Sequence, residues 1–81
     1  MKPSTQRVLN LLRSRGEEGV TPAIARHEVG TDRLAARVWE LVHEEGYEIS
    51  EKRQKGGYSK YVLRHPHPLT EADLRLLDGN R

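Results

Sequence analysis

Two sets of cationic side chains are the residues of this 81-residue chain whose types and spacing could do chemistry. The first is Arg33 and Arg37, one helical turn apart in the stretch from Thr31 to Leu41, TDRLAARVWEL. The second is Lys52, Arg53, Lys55, Lys60 and Arg64, five basic residues within 13 positions that contain no Asp or Glu. A guanidinium is a planar fork of donors that matches a phosphate, or the O6 and N7 edge of guanine, while a lysine ammonium is a mobile point charge suited to phosphate. The chemistry on offer is therefore recognition of a polyanion. The net charge is only +2, yet the 52–64 segment carries +5 and leaves −3 for the other 68 residues, so the positive field is concentrated in one part of the chain.

Bond-making chemistry finds no comparable set. The chain has no Gly-rich phosphate loop after a strand, no nucleophile elbow and no HExxH pair. Glu17-Glu18 and Glu44-Glu45 fall in connectors or at helix ends and read as solvated charge. With no cysteine, disulfides, iron–sulfur clusters and thiolate zinc sites are excluded, and His27, His43, His65 and His67 lack the spacing of a zinc site. No enzyme activity, cofactor or metal is expected. No apolar run approaches the roughly 18 residues of a membrane span and no signal segment is evident, so a soluble, cytoplasmic protein is expected.

The elements that must position these residues follow from periodicity. Thr5 to Arg15 carries Val8, Leu11 and Leu12 at helical spacing, with Ser4 as a candidate cap and Gly16 beyond the end. Val20 is a candidate single residue of edge strand. Thr21-Pro22 is a compact start signal for a second helix to about Glu28, which turns Ile24, Ala25 and Val29 inward. Gly30 permits a left-handed joint, and Thr31 or Asp32 can cap a third helix running from about Asp32 to Glu45 after only two or three linking residues. On that helix Leu34, Val38, Leu41, Val42 and Glu45 share one side, Arg33, Ala36, Glu40 and His43 the other, and Arg37 lies on a flank.

Beyond Gly46 the period switches to alternation. Tyr47 with Ile49, and Tyr61 with Leu63, form the inward positions of two strands, and Gly56-Gly57 supplies the positive φ of the turn between them. Helix, helix, turn, helix and β-hairpin describe an α+β winged helix-turn-helix, three helices with a two- or three-stranded wing, over residues 1–64. Pro66 and Pro68 then make a stiff spacer. Thr70, Asp73 and the Leu69/Leu74 staple start a short C-terminal helix within 65–81, whose Leu74, Leu76 and Leu77 serve either a dimer contact or the chain's own core.

The segments TQRVLNLL, VTP, VG, RLAARVWEL and EGYEI follow one another over about residues 5 to 50. In that order the chain resembles a family of small winged helix-turn-helix proteins common in bacteriophages and prophages. Two departures stand out: Arg26 occupies a position more often apolar, and Val42 lengthens the stretch between Leu41 and Gly46 by one residue. The resemblance implies double-stranded DNA binding by a phage-type transcriptional regulator; an excisionase-like recombination directionality factor and a protein-binding winged helix docking on host transcription machinery are the alternatives.

In a helix-turn-helix the N-terminal part of the recognition helix enters the major groove. That assigns Thr31, Asp32, Arg33, Ala36 and Arg37 to base edges, with Ala36 leaving room for a base or methyl group. The competing expectation for Arg37 is an ion pair with Glu40 at i+3 on an ordinary exposed face. Glu40 is expected to limit how far along the helix DNA is tolerated. Lys52, Arg53, Lys55, Gly56, Gly57, Tyr58 and Lys60 form the wing contact to backbone or minor groove, although lysines also guard exposed hairpin edges and a hairpin Tyr often packs across strands. Trp39, beside Val38, is expected to cover the core.

Overall fold

The structure, a computed structural model, describes residues 1–65, 67 and 68. Pro3–Arg15 forms α1, Pro22–Val29 forms α2 and Leu34–His43 forms α3, followed by strands β1 (Ile49–Arg53) and β2 (Ser59–Leu63). The arrangement is the expected winged helix-turn-helix: three helices packed on a two-stranded antiparallel sheet. The proposed C-terminal helix with Leu74, Leu76 and Leu77 lies outside the described residues.

The first helix starts earlier than its apolar spacing suggested, because Pro3 fits the first turn, where a missing N–H costs nothing. Lys2, and not Ser4, occupies the cap position, without a side-chain hydrogen bond. Val8, Leu9 and Leu12 are buried on one side of α1, and Leu34, Val38 and Leu41 meet them from α3 in a single core that also takes in Val20, Ala25, Tyr47 and Tyr61. In α2 the Thr21 hydroxyl accepts from the Ile24 N–H at 3.3 Å, as its Thr-Pro start implied. Ala25 is buried, with Ile24 and Val29 partly buried against the core.

The joint between α2 and α3 is longer than expected, four residues from Gly30 to Arg33. Gly30 is left-handed, φ 71° and ψ 22°. Asp32 does not cap α3: its carboxylate accepts instead from Arg26 Nε at 2.8 Å. Thr31 turns its hydroxyl to the Arg33 N–H at 3.2 Å, so α3 begins at Leu34. At the other end the Glu45 N–H returns to the Glu40 carbonyl and the Tyr47 N–H to the Leu41 carbonyl. These bonds reach back five and six residues, wider than an α-helical turn, before Gly46 reverses the chain at φ 83°. Helix α3 therefore stops at His43, two residues before its expected end.

A short 3₁₀ turn, Gly16–Glu18, carries the chain from α1 to the sheet. There Val20 and Tyr61 exchange both backbone hydrogen bonds, at 2.8 and 2.9 Å, so Val20 is the single edge residue its sequence context suggested. This bridge needs Gly19. Its φ of 75° and ψ of −179° lie in a region essentially restricted to glycine. A Cβ there would also stand 2.8 Å from the Tyr61 carbonyl oxygen and from Lys60 Cγ. Gly30 has an equally positive φ but open space around it. Accordingly Gly19→Ala is expected to cost about 2–3 kcal/mol and Gly30→Ala about 1 kcal/mol, measured by urea unfolding. Equal costs would contradict the close approach at Gly19.

Candidate nucleic-acid interface

The packing of α3 decides which of its side chains can meet a ligand. With Leu34, Val38 and Leu41 turned into the core, Arg37 and Glu40 point toward the start of α1. Arg37 Nη2 lies 2.7 Å from Glu40 Oε1, and Arg37 Nη1 donates to the Ser4 hydroxyl at 3.0 Å. The buried Thr5 hydroxyl donates to Glu40 Oε2 at 3.1 Å, and the Lys2 ammonium stands 3.8 Å from the same oxygen. Arg37 and Glu40 side chains are only 17% and 12% exposed, so this is a clasp between α1 and α3 and not a solvated pair. Of the two roles the sequence offered Arg37, the free protein realises the ion pair, in a more buried form than an exposed face would give. Glu40 likewise faces α1, and its charge is compensated there.

Arg33 remains exposed at the first turn of α3, with Asp32 beside it and Ala36 a turn later. Arg33 has no salt bridge among the described residues. The Arg26 guanidinium ties α2 to the Asp32 turn.

Trp39 departs from expectation. It is 56% exposed and lies on the outer flank of α3, not over the core. At about 100° per residue it sits roughly 140° from Leu34, too far round for the neighbouring alanines to cover it. Its ring packs on His43, centroids 4.7 Å apart. With Ala35, Val38, Val42, Ile49, Glu51 and Tyr61 it borders an open groove of about 270 Å³ between α3 and β1.

The wing is set by the register Ile49↔Leu63 through Arg53↔Ser59. The Gln54 N–H donates to the Tyr58 carbonyl at 2.8 Å, leaving Lys55, Gly56 and Gly57 as the tip, with φ of 100° and 81° at the glycines. Strand alternation divides the basic run. Lys52 and Lys60 stand directly opposite each other on one face, whereas Arg53 shares the other face with Glu51, Ser59 and Tyr61. On that second face the Ser59 hydroxyl donates to Glu51 at 2.6 Å. Burial, with the Glu51 charge adding to it, holds the Tyr61 phenol above its usual pKa of 10.0. Tyr58 lies against Gly56 and borders a hollow with Thr21, Pro22, Ala23 and Arg26. Among the described residues Lys52, Arg53, Lys55 and Lys60 form no salt bridge. No group of three His, Asp or Glu side chains there is placed to hold a metal ion, and no helix there is long and apolar enough to cross a membrane.

The signals that would have located the clasp and the exposed indole were weak. Ser4 and Thr5 read as cap and helix start, and only the joint packing of α1 and α3 reveals them as partners of residues more than 30 positions away. Compared with known proteins, the chain matches the family model described as a winged helix-turn-helix domain over residues 4–66. No curated protein and no solved structure matches it.

Glu40→Ala would strand the Thr5 hydroxyl and leave Arg37 and Lys2 without their counter-charge. The expected loss is about 2–3 kcal/mol in urea unfolding, against less than about 1 kcal/mol for an exposed ion pair such as Arg26–Asp32. A similar small effect at both would show that the clasp is not structural. The Tyr61 shift carries a pH consequence. Because its folded pKa is the higher one, the stabilisation is complete below pH 10 and is lost as pH rises through the folded value. Wild type should therefore lose stability above pH 10 more steeply than Tyr61→Phe, as followed by unfolding across an alkaline series.

Proposed function

Since the chain belongs to the winged helix-turn-helix family, a DNA-binding fold, we propose that it binds double-stranded DNA with the start of α3 in the major groove and the wing on the adjacent backbone or minor groove. Thr31, Asp32, Arg33 and Ala36 lie at the base edges, and Arg33 supplies the bidentate donor for guanine. Arg37 acts from behind as a positioning residue, holding α3 on α1 through Glu40 and Ser4. Lys52, Arg53, Lys55 and Lys60 neutralise phosphates, Gly56 and Gly57 let the wing backbone approach closely, and Tyr58 borders the same contact.

The observation that carries this reading is the pairing of Lys52 with Lys60. Like charges directly opposite on a hairpin destabilise it, and neither lysine forms a salt bridge among the described residues. Edge protection calls for scattered lysines, not for two facing each other with Arg53 and Lys55 beyond. A polyanion lying along the wing turns this cost into binding energy, through release of counterions from DNA. The role best fitted to so small a domain without catalytic residues is that of a transcriptional regulator of phage type, as the family resemblance implies.

The test uses fluorescence anisotropy on duplexes recovered by selection from random sequences. Lys52→Glu is expected to stabilise the free protein by about 0.2–1 kcal/mol while weakening binding to every duplex. Lys55→Ala should weaken all duplexes alike and reduce the salt slope by about one, whereas Arg33→Ala should cost about 1–3 kcal/mol on selected sites and relax discrimination at one position. Unchanged affinity in all three variants would overturn the assignment.

A further inference from the structure

The clasp to α1 has a consequence for the outer face of α3. With Arg37 and Glu40 engaged by Ser4, Thr5 and Lys2, the surface that α3 presents beyond Arg33 consists of Ala35, Ala36, Trp39 and His43. Those four side chains carry no carboxylate and no guanidinium; Arg37 and Glu40 are paired and largely buried, and the Glu51 carboxylate borders the groove beside the indole. The tallest feature of that surface is the Trp39 indole, because the residues one turn before it, Ala35 and Ala36, end at Cβ. The indole packs on His43 from the C-terminal side and stands at the rim of the open groove that Val42 and Ile49 help to line. The His43 contact restricts the ring before a ligand arrives, which lowers the side-chain entropy lost on binding.

Resting on the DNA-binding reading above, we propose that Trp39 is a specificity-determining residue, which reads the 5-methyl group of thymine in the major groove. Thymine is the base whose major-groove edge carries an apolar group, and it is the natural partner for a neutral aromatic surface among otherwise polar edges. Arg53 shares its face of β1 with Glu51, which borders the same groove and accepts from the Ser59 hydroxyl, so both charges stand on the wing side of the indole. Arg33 and Trp39 are six residues apart, about 9 Å along a helix axis. The preferred site then carries a guanine or phosphate contact at one end of the helix and a thymine about two to three base pairs away.

Trp39 is the one tryptophan of the chain, so its emission reports on this contact alone. The experiment uses the full chain and a duplex recovered by selection, in which each thymine in turn is replaced by deoxyuridine, removing only the methyl group. Wild type should show altered Trp39 emission on binding and lose about 3- to 5-fold in affinity at one or two thymines. Trp39→Ala should bind more weakly, with an unchanged salt slope since the lost contact is neutral, and should no longer distinguish thymine from deoxyuridine there. Trp39→Phe, which keeps an aromatic ring in the same place, should retain part of the distinction and guards against a misfolded alanine variant. Duplex binding in which methyl removal costs the same in wild type and Trp39→Ala overturns the inference alone. So does equal DNA affinity of the two proteins, which would show that the indole makes no contact with the duplex. A wild type that binds no duplex overturns the DNA-binding reading and this inference with it.

Discussion

The seating of one side of α3 on α1 is the constraint on which the rest of the molecule depends. Leu34, Val38 and Leu41 are almost fully buried against Val8, Leu9 and Leu12, and in a domain of this size truncating any one of the leucines to Ala would cost about 2–5 kcal/mol. Hydrophobic contact alone leaves a helix some freedom to roll. Here the Ser4–Arg37–Glu40–Thr5 hydrogen bonds remove that freedom at one edge, because their distances and directions are satisfied at a single rotation. Every statement about what α3 offers outward follows from that rotation.

The wing depends on a second, smaller constraint. Two hydrogen bonds between Val20 and Tyr61 hold β2 to the segment that leads into α2, and they form only because Gly19 lets the strands approach. Through them the hairpin is fixed relative to the helices. The tip is then free to carry Lys52 opposite Lys60, an arrangement that favours a negatively charged partner over the isolated fold. Stability is concentrated where the elements join, and unbalanced charge where they end.

The sequence made the architecture readable because its punctuation is strong. Thr21-Pro22, Gly30 and Gly56-Gly57 mark the start of α2, the helix joint and the wing tip, and the switch from helical to alternating spacing after Gly46 separates α3 from the hairpin. Boundaries were less readable. Asp32 is a residue type that caps helices, but Arg26 competes for its carboxylate, and that pairing spans the joint that proves one or two residues longer than its glycine signal suggests. Arg37 stays open between two roles for a related reason, while Glu40 and Trp39 exchange the positions their spacing suggests, Glu40 turning in against α1 and Trp39 out to solvent. On a wheel Arg37 sits on a flank, and whether a flank faces solvent or another helix depends on α1, which contributes Ser4 and Thr5 from a segment that read as nothing more than a helix start. The basic run from Lys52 to Arg64 was visible as composition, yet its division between two faces of the wing required the register.

The most direct measurement of the central claim is a map of backbone amide shifts in the isotope-labelled full chain as a duplex recovered by selection is added. The largest changes are expected at Thr31 to Ala36 and at Trp39 on α3, and at Lys52 to Lys60 on the wing. The outward surface of α1 and α2 around Arg7, Asn10 and Glu28 should remain unperturbed. Changes centred on that α1–α2 surface, with α3 and the wing silent, would contradict that claim.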